Sequence, residues 1–231
     1  MNSHLFKAAR TTLACALVIP SAAAATTVVA QWNMDNTFGT TMEDSSGNGN
    51  DGTTYNIVTS GGGYIFDGGT SKVVVPNSAT LNPGISDFSY TVQVQTDTVP
   101  PTGKDYDLMR KGISTTQGGE YKVELINVKG KAKALCVVKD AAGHSASIRG
   151  GGTLNLADNV LRTITCTKTA TSLAVQVTSR PLNLKHARLG SVSNNQPLTI
   201  GVKLPNSPEN DLAAGDWYEG LMRSASIAIE P

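Results

Sequence analysis

Phe88, Tyr90, Val92 and Val94 alternate with Ser89, Thr91, Gln93 and Gln95, a period of two that predicts a strand with one face in a core. The pattern recurs in Tyr121-Lys122-Val123-Glu124-Leu125, in Leu173-Ala174-Val175-Gln176-Val177 and from Arg223 to Ile229, and Val73-Val74-Val75 is a short apolar run. Turn-forming clusters separate these segments, among them Gly61-Gly62-Gly63, Asn82-Pro83-Gly84, Lys129-Gly130-Lys131 and Gly150-Gly151-Gly152. No window of about 12 residues keeps a 3.6-residue period, so helices are not expected. Short strands at roughly 8–12-residue spacing predict an all-β sandwich or barrel.

At 231 residues the chain suits one such domain. Lys7 and Arg10, the apolar stretch from Thr11 to Pro20 and the small residues Ser21 to Ala25 form a secretory leader, so residues 1–25 are read as a signal peptide and 26–231 as the exported domain. The apolar stretch is too short to span a bilayer, for which about 20 residues are needed. Without Lys7 and Arg10 the domain keeps 17 basic and 18 acidic side chains. That balance lacks the basic excess of a nucleic-acid binder. A secreted monomer is expected, with a carbohydrate or an extracellular protein as its partner. Cys136 and Cys166 remain as an even pair in strand-like runs, and in an oxidising compartment they are read as one disulfide, the alternative being two buried thiols.

Trp32-Asn33-Met34-Asp35, the loop Asp44-Ser45-Ser46-Gly47-Asn48-Gly49-Asn50-Asp51-Gly52, Phe66-Asp67-Gly68 with Val73-Val74-Val75-Pro76, and the closing Leu198-Thr199-Ile200-Gly201 with Tyr218-Glu219-Gly220 resemble a laminin-G-like domain of the concanavalin A-like lectin/glucanase superfamily. The resemblance implies a jelly-roll sandwich of two antiparallel sheets, with a face that often binds glycans and frequently a calcium ion near the first loop. Two positions depart from the pattern: Arg223 stands where an aspartate is usual, and Leu161-Arg162 where a Trp-His pair is usual.

The first loop also has calcium chemistry of its own. Asp44, Ser46 and Asn48 fall at positions 1, 3 and 5, with the carbonyl of Asn50 next, an alternation of oxygen ligands used by calcium loops. Asp35 is the candidate further ligand, placed beside the loop by the resemblance. The alternative is a turn in which Asp44, Asn48 and Asn50 bond their own backbone.

Glycan hydrolases of this superfamily resemble one another in a Glu-x-Asp-x-Glu strand, to which Glu120-Tyr121-Lys122-Val123-Glu124 is the nearest match. Lys122 would share a face with both glutamates and hold them as carboxylates, leaving no general acid, on a solvated strand face with cross-strand ion pairs. No catalytic residue is therefore assigned. A non-catalytic glycan-binding or surface-partner-binding domain is the first reading, a polysaccharide-degrading enzyme of the same fold the second, and an interaction domain without a sugar site the third. Trp32 and Trp217 are expected in the core, leaving Tyr55, Tyr64, Tyr106 and Tyr218 as candidates for sugar stacking. Lys129, Lys131 and Lys133, with Arg110, Lys111 and Lys122, form a candidate surface for an acidic polysaccharide.

Overall fold

A computed structural model describes residues 25–36, 38–204 and 215–230. The leader read at residues 1–25 lies, up to residue 24, outside the described residues. Sixteen strands follow in chain order: β1 (Thr27–Trp32), β2 (Thr41–Met42), β3 (Gly52–Tyr55), β4 (Val58–Ser60), β5 (Gly63–Asp67), β6 (Lys72–Val75), β7 (Asp87–Gln95), β8 (Asp105–Lys111), β9 (Glu120–Val128), β10 (Lys131–Lys139), β11 (Ser145–Gly150), β12 (Arg162–Lys168), β13 (Ser172–Val177), β14 (Asn183–His186), β15 (Leu198–Ile200) and β16 (Glu219–Glu230). One 3-10 turn, Ala79–Leu81, is capped by the Ser78 side chain. Among the described residues no helix is long and apolar enough to cross a membrane.

The strands form two antiparallel sheets packed as a sandwich, the all-β class that the alternation predicts. The first runs β14-β13-β12-β7-β16-β5-β4, with β1 also paired to β16, and the second β11-β10-β9-β8-β15-β6-β3-β2. In β7, Phe88, Tyr90, Val92 and Val94 are buried and the intervening residues are partly exposed, as a period of two requires. Phe88, Tyr90 and Tyr121 pack at centroid distances of 5.3–5.7 Å between the sheets. Cys136 of β10 and Cys166 of β12 form the disulfide, which ties the two sheets together with Cα atoms 5.7 Å apart. Face-to-face sheets ordinarily lie about 10 Å apart, so the sandwich is pinched here. Small residues permit the pinch: Ala132, Ala134 and Ala174 are buried nearby, and a Cβ at Gly150 would lie 2.7 Å from the Val175 side chain.

In β8 the pairing with β9 shifts register between Asp107 and Met109. Such a bulge changes the phase of the alternation. Asp105 and Asp107 before it, and Arg110 after it, thus lie on the outer face of the second sheet beside Ile126, Glu124 and Lys122, while Lys111 turns inward opposite Tyr121.

Candidate functional site

The loop from Asp44 to Asn50 folds around one carboxylate. Asp44 Oδ1 accepts from the amides of Gln31 and Ser46, both at 2.9 Å, and Oδ2 from the Asn50 amide at 2.9 Å and the Ser46 hydroxyl at 2.8 Å. Burial works against the charge, but these four donors prevail and hold the carboxyl below its usual range. The Asn48 and Asn50 carboxamides turn their nitrogens to the Val29 carbonyl, at 3.2 and 2.8 Å. The Asn50 carbonyl accepts from the Trp32 indole at 2.8 Å. Asp35 is exposed and acts, with Glu43, on the phenol of Tyr64.

N–H donors therefore converge where a calcium ion needs oxygen lone pairs, and the backbone oxygen counted on at Asn50 is already engaged. Among the described residues no group of three or more His, Cys, Asp or Glu side chains is placed to hold a metal. The residues as arranged do not fit calcium; they fit a hydrogen-bonded turn that fastens the loop to β1. Calcium and chelator should accordingly give superimposable melting curves. Asp44→Ala should lower stability by about 1–3 kcal/mol in either condition, because it strands the amides of Gln31, Ser46 and Asn50. A melting difference between calcium and chelator that Asp44→Ala abolishes would reverse this assignment.

The outer face of the second sheet holds the denser chemistry. Glu120, Lys122 and Glu124 share one face of β9, as spacing predicts, yet the face is buried rather than solvated, with Glu124 only 2% and Asp107 0% exposed. The chain segments 201–204 and 215–218 account for part of the cover: Asp107 N donates to Asp216 O, Gly201 N to Leu108 O, and Lys203 pairs with Gly215. Val202, Leu204 and Trp217 pack on Val74 of the same face.

Burial changes the protonation expected from sequence. Lys122 pairs with Glu124, but desolvation pushes the Glu124 carboxyl up to about 8, with Asp107 and Asp105 adding to the rise. The expectation that Lys122 holds both glutamates as ordinary carboxylates is thus corrected at Glu124. Asp107 is likewise raised by burial, although Arg110 Nε lies 3.3 Å from its Oδ2. Arg110 also reaches toward Glu120, at 3.9 Å.

This face opens at one edge into a cleft of about 310 Å3, whose walls include Pro101, Lys104, Asp105, Tyr106, Asp216 and Trp217. Trp217 is half-buried, its inner side packed on the Val74 cluster, in part as expected of a core residue, and the rest of it at the cleft. Asp105 is pushed up to about 6 by burial, by a hydrogen bond with Asp216 and by the charges of Asp107 and Asp216. Asp216 is desolvated too, but its bonds to Asp105 and to Lys203, 2.8 Å away, hold it below the usual range. The acidities of the two neighbouring carboxyls are thus pushed apart at the mouth of the cleft.

The other aromatic candidates divide. Trp32, Tyr64, Tyr106 and Tyr218 are buried, and Tyr55 is exposed with the Lys72 ammonium 5.0 Å from its ring centre. A second open groove, about 490 Å3 on the outer face of the first sheet, has Gln95, Asp97, Asn159 and Glu219 among its walls and no exposed aromatic ring. The six basic residues grouped from sequence do not form one surface. Arg110 and Lys122 belong to the buried face, and the inward Lys111 bonds Asn77 and the carbonyls of Asn194 and Gln196.

No protein-family model matches the sequence, and no curated protein does. Solved structures match it in fold. The binding domain of Paraclostridial Mosquitocidal Protein 1 superposes with a TM-score of 0.64 at 17% identity over 88% of this chain and 48% of that one. Domain 4 of an extracellular arabinanase from Geobacillus stearothermophilus, solved in complex with arabinotriose, gives 0.60 at 13% identity over 89% and 93%. The binding domain of botulinum neurotoxin DC in complex with SialylT gives 0.59 at 11% over 87% and 47%. This chain therefore spans about half the length of the toxin domains and nearly all of the arabinanase domain. At such identities the likeness is one of fold, a two-sheet β-sandwich.

Proposed function

We propose that this chain is an exported, non-catalytic sandwich of the laminin-G-like, concanavalin A-like kind that binds a neutral saccharide in the cleft at Trp217. The observation that carries the reading is the juxtaposition of a partly exposed indole with two hydrogen-bonding carboxyls, Asp105 and Asp216, in an open cleft. An indole face offers apolar area for the carbon side of a sugar ring, and carboxyls accept from paired hydroxyls. The arabinotriose in the arabinanase domain, a neighbour matched over 93% of its own length, supports the ligand class. The disulfide supports export.

Titration with neutral arabino-, xylo- and gluco-oligosaccharides should quench tryptophan fluorescence, since Trp32 is buried and Trp217 faces the cleft. Trp217→Ala should weaken binding at least tenfold, about 1.4 kcal/mol or more. Equal binding by Trp217→Ala would remove the cleft from consideration.

The enzymatic reading has one observation behind it, the divergent acidities of Asp105 and Asp216, a pattern found in acid/base pairs. Glycosidase carboxyls, however, stand about 5–9.5 Å apart to admit the sugar, whereas these two bond each other. Glu124 and Asp107 are closed to substrate by burial. Reducing-sugar release from these polysaccharides, lost in Asp105→Asn, would favour the enzyme.

A further inference from the structure

Charge is divided unevenly along this chain. From Lys129 to Arg188 there are ten lysines and arginines and two acids, Asp140 and Asp158, whereas the rest of the sequence carries sixteen acids and nine basic residues. The topology gathers that basic stretch in one place. Its strands are β10 and β11, which end the second sheet, and β12, β13 and β14, which end the first. The basic stretch is therefore one lateral edge of the sandwich, the pinched edge.

The two acids do not neutralise it. Asp140 accepts from the amides of His144 and Gly190, at 2.8 and 2.7 Å, and contacts the His144 ring at 2.9 Å, while Asp158 pairs with Arg162. Lys139 and Lys168 are also spent locally, on the carbonyls of Ser114 and of Ile85 and Ser86. Seven remain with which no carboxylate pairs among the described residues, Lys129, Lys131, Lys133, Arg149, Arg180, Lys185 and Arg188, and the contacts of five of them, Lys131, Lys133, Arg149, Arg180 and Lys185, fix their place on this edge.

These five lie along a seam where the sheets meet. Asn183 of β14 donates to the Arg149 carbonyl of β11 at 2.8 Å, and Lys185 Nζ lies 3.4 Å from the Ser147 carbonyl. Arg149 and Ser147 are alternate residues of β11, so the anchor points repeat at about 7 Å along the strand. Lys131, Lys133 and Arg180 sit together at the corner, close enough that burial first, and then the other two charges, push the Lys133 ammonium down. Lys133, only 8% exposed, is spent there on the carbonyls of Gly152 and Leu154, so it adds its charge from behind the row while Lys131, Arg149, Arg180 and Lys185 are the side chains a ligand could meet. Leu182 and Leu184 are more than half exposed beside the row. A row of cations kept apart from anions costs self-repulsion, and a polyanion laid along it would relieve that cost.

We propose that the β11–β14 seam is a binding track for a linear acidic polysaccharide of the polyuronate type, separate from the Trp217 cleft. A carboxylate on each sugar supplies charges in a row, and the exposed leucines suit the carbon faces of the rings. Between Lys129 and Arg188 there is no Phe, Tyr or Trp, so the track lacks the stacking surfaces on which single-stranded nucleic acids depend.

The test is retention of the whole exported domain on immobilised polygalacturonate, with neutral galactan, duplex DNA and phosphatidylglycerol-containing vesicles in parallel. Retention on polygalacturonate at 50 mM salt is expected, with release as salt rises, because several exposed charges contribute and each is screened. Lys131→Ser, Arg149→Gln and Arg180→Gln combined should weaken it at least tenfold. Arg149→Gln with Lys185→Gln, both exposed, should weaken it several-fold with an unchanged melting curve, which separates charge loss from misfolding. Trp217→Ala should leave it unchanged while losing neutral sugars. The proposal is overturned by absence of retention at low salt, by equal retention of the charge variants, by loss of retention in Trp217→Ala, or by vesicles or DNA holding the protein more tightly than polygalacturonate.

Discussion

Reduction of the Cys136–Cys166 disulfide is expected to lower the stability of the folded domain by about 3–4 kcal/mol, the chain-entropy value for a loop of this length. The sequence separation is 30, and the bridge joins strands of different sheets. For a chain of this size about 1 kcal/mol corresponds to roughly 2–4 °C, so the melting temperature should fall by roughly 10 °C. Position adds to the effect. Both cysteines are buried at the pinched edge, where Tyr90 also reaches across from the first sheet to the carbonyls of Lys122 and Val137, each at 3.1 Å. Cys136→Ala with Cys166→Ala should reproduce the loss without reductant. If the double variant melts within about 2 °C of the parent, the edge is held by packing alone.

The all-β class was legible because alternation is a local signal, while the choice of a two-sheet sandwich over a barrel came from the family resemblance: Phe88 to Gln95 shows which side of β7 meets the core whatever lies beyond it. What alternation cannot show is the cover on the opposite side. Glu120, Lys122 and Glu124 do share a face, but whether that face meets water depends on segments beginning some 80 residues later, at Gly201. The same long-range dependence hid the cleft side of Trp217, whose segment lies over that face. Bulges are a second source of error. One extra residue near Leu108 separates the fates of neighbours, so that Arg110 joins the charged face while Lys111 turns inward, and the sequence carries no mark of the shift. At Arg223 the pairing of β16 with β7 is likewise irregular, between Met222 and Ser224. The first loop shows a third limit. Residue types at Asp44, Ser46, Asn48 and Asn50 announce oxygen atoms, but a carboxamide presents nitrogen as readily, and here it turns nitrogen to Val29. Of the cationic seam, Lys131 and Lys133 were legible but were grouped with Arg110, Lys111 and Lys122, because Arg149, Arg180 and Lys185 are distributed over a long stretch of chain and meet them only where two sheet edges close.

Stability should fall as pH rises from about 4 to about 8. Glu124 has an ordinary value of 4.5 and is pushed up to about 8 by burial, with Asp107 and Asp105 contributing; Asp105 rises from 3.8 to about 6 through burial, Asp216 and Asp107. In both cases the folded state holds a proton that the unfolded chain has released, so raising the pH through the interval favours unfolding. Each proton bound differentially gives a slope of at most about 1.4 kcal/mol per pH unit. Asp44, Asp140 and Asp216 have the opposite sign, since all three are held below the usual range and their stabilisation is lost as acid protonates them. Lys111, pushed down to about 8 by burial, again favours the folded state as pH rises, but only above that value. Maximum stability is therefore expected near pH 4, with a decline toward pH 8. Glu124→Gln keeps an acceptor for Lys122 while removing the ionisation, so its melting temperature should exceed that of the parent at pH 8 by several degrees and match it near pH 5. Asp105→Asn should remove its own share of the decline, between about pH 4 and about pH 6, and leave the decline above pH 6 unchanged. Melting curves across pH 4–9 measure both. Parallel profiles for the parent and Glu124→Gln would mean that Lys122 keeps the carboxylate ionised in the fold, as the order of residues along β9 first implied.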